Sequence, residues 1–525
     1  MSERPGPGRD ERFVLAVDLG SSVAKVGLVS LGGTIAWWSQ RPLQTVRGAD
    51  GSATQDAEEW WRIIVDATRR GLAEASVHGD QVVAVGVTGQ FASLVPVDRH
   101  GHPVDSCVMW MDTRGEPHAR QQVGGRVHGY RLKAVATWVH RTGGAPSPEG
   151  VDSLGHMLHI ERDQPHVAAA ARWYLEPVDY LTMRFTGVAA ASHASMTGAW
   201  LTDNRRLDVL AYDDKLVAMA GIDGTKLAPL VPTGSVIGTV LASVADELGI
   251  SRRAQVATGV TDVHSAAIGS GCVRDYEAHM GFGTTSWISC PVPKKKTDLF
   301  RQMAAVPGLT NDSYLLVNNQ LSAGRCLQWF REEIVGSIRH DGLPTYDTLT
   351  ALAATAPPGS GGVIFTPWLA GEKGPVEDGC ARGGFHNLSL SSGLADLTRA
   401  VLEGVAYNAR WLLDGAEHFT GRRFDPIRLI GGCARSNLWS QILADVLDRR
   451  IERVEAPLLS GLRGSALLAA TALDEVARDE VRGLVQVERT FEPDPENRAV
   501  YDLRSKELPR LYKAQKGMFH RLNRP

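Results

Sequence analysis

One aspartate, Asp262, has the chemistry and the sequence setting of a general base. The apolar run 254–260 before it predicts a buried strand, and the small residues from Ser265 onward predict a helix. Asp262 therefore lies on a strand-to-helix turn, where a carboxylate can face a cleft and accept a proton. Taken alone, a helix-capping aspartate is the simpler interpretation.

Two turns rich in glycine and hydroxyl groups have the composition of phosphate-binding loops. The first follows the apolar run 13–17 and reads Asp18-Leu-Gly-Ser-Ser22, and the second reads Gly281-Phe-Gly-Thr-Thr-Ser286. Backbone N–H groups of such turns can surround phosphate oxygens. Residues 23–30 predict a hairpin rather than a helix after the first turn, and no Gly-Lys-Ser/Thr follows, which excludes a Walker-type P-loop.

Two further stretches carry groups suited to a nucleotide and to a polyol. A predicted strand at 427–430 runs into Gly431-Gly-Cys-Ala-Arg-Ser-Asn437 at the start of a helix, where a backbone can approach a base or a sugar. The stretch Trp110-Met-Asp-Thr-Arg114 lies at the end of another predicted strand, at 107–111. It offers a carboxylate and a guanidinium that match hydroxyl groups. Alone, the first is equally explained as a tight turn and the second as a surface ion pair.

Together these motifs describe phosphoryl transfer to a small hydroxyl compound. The two loops would hold a triphosphate, the helix start a nucleoside, and the base would lie between sugar and phosphate. Such a transfer requires positioning, charge neutralisation with magnesium and a proton acceptor.

The strands and helices that must position the motifs are predicted to form two α/β halves, and the elements follow one another in the same order in each half. In each half a strand and a glycine-hydroxyl turn precede a β-rich stretch and then longer helices, predicted for example at 55–75 and 391–419. We predict an α/β fold of two similar domains facing a cleft, with domains at 12–252 and 253–525. The basic segment 501–525 predicts a C-terminal helix with a solvated face rather than a nucleic-acid arm.

The composition excludes several classes of protein. Of the 525 residues, 43% are apolar and 22% charged, and the net charge of −3 argues against nucleic acid or an anionic membrane as partner. The six cysteines are scattered, without metal-ligand spacing, as in a reducing compartment. Neither a signal peptide nor an apolar run of membrane-spanning length is present, so we expect a soluble cytoplasmic protein. The assembly state stays open, with a homodimer as one option.

The motifs, taken in order, resemble those of FGGY-family carbohydrate kinases, members of the actin-like ATPase-fold superfamily. The resemblance runs from about Phe13 to the C-terminus. It rests on Asp18-Leu-Gly-Ser-Ser22, Gln55-Asp-Ala-Glu-Glu-Trp60, 89–114, Asp262, Gly283-Thr-Thr-Ser286, Ser322-Ala-Gly324, Pro367-Trp-Leu-Ala-Gly-Glu372, Ala381-Arg-Gly383, Leu402-Glu-Gly404 and Gly431-Gly-Cys-Ala-Arg-Ser-Asn437.

The resemblance implies two actin-like, ribonuclease H-like domains around a deep cleft, the first binding mainly sugar and the second mainly ATP. It implies that Asp262 is the catalytic base and that Asp18 lies near Mg²⁺, through water. The residues implied to contact the sugar are Gln90, Phe91, Ala92, Trp110, Asp112 and Arg114. Those implied to contact ATP are Gly20, Ser21, Ser22, Lys25, Gly283, Thr284, Thr285, Gly324, Gly432, Ala434 and Asn437. Lys25 is alternatively a solvated lysine at a strand end.

One loop departs from the family pattern. Members close to xylulose kinase carry Gly-Gln-Met-His-Gly where this chain has Gly89-Gln-Phe-Ala-Ser93, and glycerol kinases carry Arg-Glu at Phe91 and Ala92. The sugar pocket is thus predicted to lose a polar side chain and gain an aromatic one. A ketopentose such as D-xylulose is the expected substrate, with a short polyol such as a tetritol, or a non-catalytic ATP-binding role, as alternatives.

Overall fold

The structure, a computed structural model, describes residues 10–127, 130–338 and 342–523. The polar N-terminal segment, from which we predict no signal peptide, lies outside the described residues up to residue 9. The last two residues of the predicted basic helix also lie outside them. Within the described ranges, no helix is both long enough and apolar enough to cross a membrane.

The first half of the chain alternates short strands with helices. Its strands are β1 (Phe13–Leu19), β2 (Val23–Ser30), β3 (Ile35–Pro42), β4 (Val46–Arg47), β5 (Ala53–Gln55), β6 (Val82–Gly89), β7 (Val95–Val97), β8 (Cys107–Val108), β9 (Gly124–Val127), β10 (Trp173–Leu175), β11 (Val236–Thr239), β12 (Gln255–Ala257) and β13 (Val260–Thr261). Its helices are α1 (Ala57–Glu74), α2 (Glu116–Val123), α3 (Leu132–Thr142), α4 (Ser153–Asp163), α5 (Pro165–Ala170), α6 (Pro177–Thr186), α7 (Asp214–Ala220), α8 (Ala242–Leu248) and α9 (Asp262–Gly269).

The second half has fewer, longer helices. Its strands are β14 (Ala278–Phe282), β15 (Ser286–Ser289), β16 (Pro291–Val292), β17 (Thr297–Asp298), β18 (Met303–Pro307), β19 (Tyr314–Val317), β20 (Ile364–Thr366), β21 (Gly384–His386), β22 (Ile427–Ile430), β23 (Ile451–Val454) and β24 (Val487–Phe491). Its helices are α10 (Gly324–Trp329), α11 (Tyr346–Ala354), α12 (Leu394–Thr420), α13 (Asn437–Leu447), α14 (Ser460–Ala472), α15 (Val481–Leu484) and α16 (Arg498–Asn523).

Each half is built on a central sheet that begins with an antiparallel hairpin. In the first sheet, ordered β11-β12-β6-β1-β2-β3, strand β1 pairs antiparallel with β2 and parallel with β6. In the second, ordered β15-β14-β22-β23-β24, strand β14 pairs antiparallel with β15 and parallel with β22. This shared pattern confirms the predicted fold of two similar α/β units.

Strand β1 is buried on both faces because a helix covers each of them. Every residue of its apolar run 13–17 is inaccessible to water. One face, including Leu15, packs with Trp60 of α1, and the opposite face, including Val14, packs with Leu462 of α14. A continuous apolar run, rather than alternation, is the pattern expected of such a strand. Helix α14, from the second half of the chain, thus covers the sheet of the first.

Helices α9 and α14 cross at two glycines. A Cβ atom on Gly464 would overlap the carbonyl oxygen of Ser265, and a Cβ on Gly269 would overlap the carbonyl oxygen of Ser460. Glycine at both positions therefore allows the two helix backbones to come closer than side chains would permit. The crossing joins the two halves of the chain.

Two elements begin or end differently from the prediction. The helix predicted from Ser265 begins at Asp262, because Thr261 keeps the extended conformation of β13 and is itself the N-cap. Asp262 is therefore the first helical residue, and the capping position belongs to its neighbour. The strand predicted at 107–111 ends at Val108, where the chain leaves the sheet and carries Trp110 to the surface.

We expect Gly464→Ala to destabilise the protein. Alanine favours helix by up to about 1 kcal/mol over glycine, but forcing atoms into a packed site costs about 1–3 kcal/mol, so the clash with Ser265 should dominate. Thermal unfolding would measure the change. Gly483→Ala is the matched control, since no atom lies within 4 Å of its Cβ position. Equal melting temperatures for the two variants would contradict close packing at this crossing.

Candidate active site

The carboxyl ends of three parallel strands meet level with Gly89. Leu19 of β1 and Thr261 of β13 both pair with Gly89 of β6. Asp18, just before Leu19, and Asp262, just after Thr261, are therefore brought to the same edge of the sheet. A Cβ atom on Gly89 would lie 2.5 Å from the carbonyl oxygen of Leu19, so this convergence depends on glycine.

Asp18 is held between a lysine and the start of a helix. It lies opposite Lys25 in the β1–β2 hairpin, and the Lys25 ammonium donates to its carboxylate at 2.8 Å. Both side chains are largely buried, so Lys25 is paired rather than solvated. A Cβ atom on Gly461 would lie 2.5 Å from the same carboxylate, which places the N-terminus of α14 against Asp18.

Asp262 is an accessible carboxyl with an affinity for protons near neutral pH. Its side chain is exposed to water, as a base that meets a substrate must be. Desolvation by the surrounding protein, with a further contribution from the negative charge of Asp18, raises its pKa to about 7. The N–H of Val263 and the charge of Lys25 oppose the shift. A pKa close to the working pH suits a general base.

The first glycine-hydroxyl loop is hydrogen-bonded to two other segments of the same half, at Gln55 and at Trp110. Its turn is closed by a hydrogen bond from the Gly20 N–H to the Val23 carbonyl oxygen at 3.0 Å. Gln55 donates its amide to the Ser21 carbonyl oxygen at 2.7 Å. The Trp110 indole donates to the Ser21 hydroxyl at 2.8 Å. The neighbouring Ser22 is exposed.

The second glycine-hydroxyl loop lies beside the glycine-rich segment that follows β22. It joins β14 to β15, and the Gly283 N–H donates to the Thr285 carbonyl oxygen at 3.0 Å. The Gly324 N–H donates to the Gly283 carbonyl oxygen at 2.8 Å. A Cβ on Gly324 would lie 2.6 Å from the sulfur of Cys433, so these three segments meet. Open space lies beside Gly432, whose Cβ position has only Leu458 within 4 Å.

Two of the residues expected to contact ATP have their polar groups engaged inside the protein. Asn437 begins α13, and its side-chain oxygen accepts from the Arg453 guanidinium at 2.9 Å. The same guanidinium donates to the carbonyl oxygen of buried Ala434 at 3.2 Å. Arg453 therefore fixes this segment, and sequence reasoning had no signal for it.

The six residues expected to contact the sugar divide into accessible and buried groups. Phe91, Ala92 and Arg114 are partly accessible, and the Trp110 side chain is 44% exposed. By contrast, Gln90 is almost fully buried, and its amide has no partner among the described residues.

Asp112 is fully buried and orients its neighbour Arg114. Its carboxylate accepts from the Ala53 N–H at 2.8 Å and from the Arg114 guanidinium at 2.7 Å. Burial opposes ionisation, but these hydrogen bonds prevail and lower the pKa of Asp112. The guanidinium of Arg114, rather than the carboxylate of Asp112, is therefore the accessible member of this pair.

A histidine that sequence reasoning missed supports the loop 89–93, which departs from the family pattern. His156 of α4 is fully buried, and its Nε2 lies 3.1 Å from the Ala92 carbonyl oxygen. Ala92 itself has a left-handed conformation, with φ of 57°. A lone histidine within a helical segment carries no motif by which it could have been found.

Comparison of the sequence with family models finds two matches, which together cover most of the chain. Residues 13–269 match the N-terminal domain, and 280–473 the C-terminal domain, of the FGGY family of carbohydrate kinases. A xylulose kinase from Staphylococcus epidermidis is 28% identical over 519 residues, covering 97% of this chain and 98% of its own.

Solved structures share the fold over nearly the whole chain. The xylulose kinase from Rhodospirillum rubrum is 25% identical, with a TM-score of 0.82 over 97% of this chain and 100% of its own. The gluconate kinase from Lactobacillus acidophilus, 20% identical, has a TM-score of 0.85 over 97% and 99%.

We predict that Asp262 titrates near pH 7 in the nucleotide-free and metal-free protein. The carboxyl is protonated below this pH and loses its proton as the pH rises through it. Asp18→Asn should lower the pKa of Asp262, because it removes the neighbouring negative charge. NMR titration of carboxyl-labelled aspartate, assigned with Asp262→Asn, would measure both values. The control Asp246→Asn, at an exposed surface pair, should leave the pKa unchanged. An unchanged or raised pKa in Asp18→Asn would contradict the predicted repulsion.

Proposed function

Because the chain belongs to the FGGY family of carbohydrate kinases and is a sugar kinase, we propose that it transfers the γ-phosphoryl group of ATP to a terminal hydroxyl of a ketopentose such as D-xylulose. The observation that carries this proposal is the convergence of Asp18 and Asp262 at the ends of β1 and β13, level with Gly89. A second carboxylate would not be needed there for nucleotide binding alone.

Asp262 acts as the general base in the proposed reaction. The sugar hydroxyl oxygen forms a bond to the γ-phosphorus as its proton passes to the Asp262 carboxylate. The bond between the γ-phosphorus and its bridging oxygen breaks, and ADP leaves. Exposure of Asp262 to water and its raised pKa support this role, because the base must be both reachable and able to hold a proton.

Asp18 is proposed to hold Mg²⁺ through water. Carboxylate oxygens are ligands that this ion prefers, and Asp18 supplies them at the edge of the sheet where Asp262 also lies. Their repulsion supports a cation nearby, since a divalent ion would offset it. When bound, the ion neutralises charge on the phosphates. Lys25 keeps Asp18 oriented through its 2.8 Å ion pair.

ATP is proposed to lie between the two glycine-hydroxyl loops, with its nucleoside toward the segment after β22. Gly20, Ser21 and Ser22 would face the phosphates from the first half, and Gly283, Thr284 and Thr285 from the second. Gly324, Gly432, Ala434 and Asn437 would border the nucleoside. The open space beside Gly432 supports this placement, because a nucleotide can approach the backbone there.

The sugar is proposed to lie against Phe91, Ala92, Trp110 and Arg114. These are the accessible members of the set, and the guanidinium held by Asp112 is their strongest hydrogen-bond donor. Gln90 and Asp112 would act from behind this surface, since both are buried. D-xylulose remains the first substrate to test, with a tetritol, glycerol and gluconate in the same panel.

We expect Asp262→Asn to abolish most turnover while leaving ATP binding unchanged within about twofold. General-base catalysis contributes about a hundred- to ten-thousand-fold, and the change removes the proton acceptor alone. Coupled ADP-release assays would measure turnover, and calorimetry would measure ATP binding. The control Asp246→Asn should behave as wild type. Turnover above about a tenth of wild type would exclude Asp262 as the base.

We also expect the double variant Phe91→Met, Ala92→His to favour D-xylulose. Restoring a polar side chain should raise kcat/KM for D-xylulose, relative to the best other compound in the panel, by about tenfold, or roughly 1.4 kcal/mol. Histidine is among the residues that tolerate the positive φ at position 92.

Ala92→Gly is the control for this double variant, since it fits the same backbone and adds no polar group. It should leave the ratio of specificity constants unchanged. An unchanged ratio in the double variant would mean that backbone groups or Arg114, rather than these side chains, select the sugar.

A further inference from the structure

Glu372 is a buried carboxylate at the junction of three segments in the second half of the chain. Only 2% of the residue is exposed. One oxygen accepts from the Leu321 N–H at 3.1 Å and from the Lys373 N–H at 2.8 Å. The other accepts from the Asn408 amide of α12 at 2.6 Å. Glu372 therefore links its own loop to α12 and to the segment 320–324.

Asn408 continues this link to the second glycine-hydroxyl loop. The backbone carbonyl oxygen of Asn408 accepts from the side-chain amide nitrogen of Gln320 at 2.7 Å. The Gln320 amide oxygen accepts from the Ser286 hydroxyl at 2.8 Å. The backbones of Gln320 and Ser286 also exchange hydrogen bonds in both directions. Hydrogen bonds thus connect Glu372 to Ser286, the last residue of the loop 283–286. The connection passes through the side chain and backbone of Asn408 and through the side chain of Gln320.

The segment 320–324 also lies directly along this loop. The Ala323 N–H donates to the Thr284 carbonyl oxygen at 3.0 Å, and the Gly324 N–H donates to the Gly283 carbonyl oxygen at 2.8 Å. Two carbonyl oxygens of the loop are therefore turned toward 320–324. A displacement of that segment would move the loop with it.

We propose that Glu372 is a positioning residue that holds the loop 283–286, through Gln320 and the backbone of 320–324, in the conformation that binds the phosphates of ATP. This inference rests on the proposed role of that loop in ATP binding. Glu372 itself would not contact the nucleotide, and its effect would be confined to the phosphate end.

The surroundings of Glu372 indicate a role beyond stability. Burial raises the pKa of its carboxyl to about 7, so ionising this group costs free energy that its N–H donors only partly offset. The carboxylate alone presents acceptors to all three donors at once. A glutamine of the same size would turn an NH₂ group toward at least one N–H donor and break the link there.

Glu403 of α12, the helix that also carries Asn408, is a matched control for Glu372. It is fully buried and accepts from the Ser360 hydroxyl at 2.7 Å, from the Tyr501 hydroxyl at 2.9 Å and from the Arg399 guanidinium at 2.7 Å. These contacts join α12 to α16 and to the turn at 356–360. None of the contacts described for Glu403 reaches the loop 283–286.

The test compares ATP with adenosine, which lacks the phosphates. In Glu372→Gln, calorimetry should give about tenfold weaker ATP binding but adenosine and sugar binding within about twofold of wild type. In Glu403→Gln, the ratio of ATP to adenosine affinity should equal that of wild type, whatever the melting temperature. An unchanged ratio in Glu372→Gln, or the same change in Glu403→Gln, would overturn the proposal.

Gln320→Met interrupts the path one step nearer to the loop. It removes the side-chain hydrogen bonds to Ser286 and Asn408 while nearly conserving the size of the side chain. It should therefore also weaken ATP binding more than adenosine binding. If Glu372→Gln does not fold, Gln320→Met tests the proposal in its place. A ratio of ATP to adenosine affinity equal to that of wild type would then overturn the proposal. A wild-type protein that binds no ATP would instead refute the proposed function.

Discussion

The glycine-mediated crossing of α9 and α14 is the contact on which the relative placement of the two halves depends. Helix α14 belongs to the second half by sequence, yet it covers β1 and β6, where a Cβ on Gly86 would overlap the carbonyl oxygen of Ser465. Helix α9 leaves the first sheet at β13 and packs with Ile430 and Val454 of the second. Each half thus contributes a helix that packs against the other half, and the close backbone contact at Gly269 and Gly464 joins these two helices.

The chemistry follows from this placement. Strand pairing level with Gly89 brings two carboxylates together, and α14 approaches one of them through Gly461. Asp18 forms an ion pair with Lys25, whereas Asp262 stays accessible and its pKa is raised to about 7. The asymmetry between two like residues, one paired and one open, fits the separate roles that we propose for them, near a metal-bound phosphate and near a sugar hydroxyl.

The two halves serve the site in different ways. In the first, the Trp110 indole joins the stretch 89–114 to the Ser21 hydroxyl, so the proposed sugar and phosphate positions share one hydrogen-bonded surface. In the second, hydrogen bonds through Asn408 and Gln320 join the loop 283–286 to the buried Glu372. In the proposed site, substrate choice therefore depends on a local loop at 91–92, whereas nucleotide binding depends on contacts between residues as far apart in the chain as Ser286 and Asn408.

The sequence alone determined the α/β fold of two similar halves, the glycine-hydroxyl loops and the setting of Asp262, because these depend on local patterns of apolar runs, glycines and turn residues. Only the tertiary structure decided which polar side chains are buried and which stay accessible. It buried Gln90 and Asp112, placed His156 under Ala92 and joined Glu372 to a distant loop through hydrogen bonds. The physical reason is that burial and hydrogen-bond partners are set by segments far apart in the chain, about which local composition carries no information.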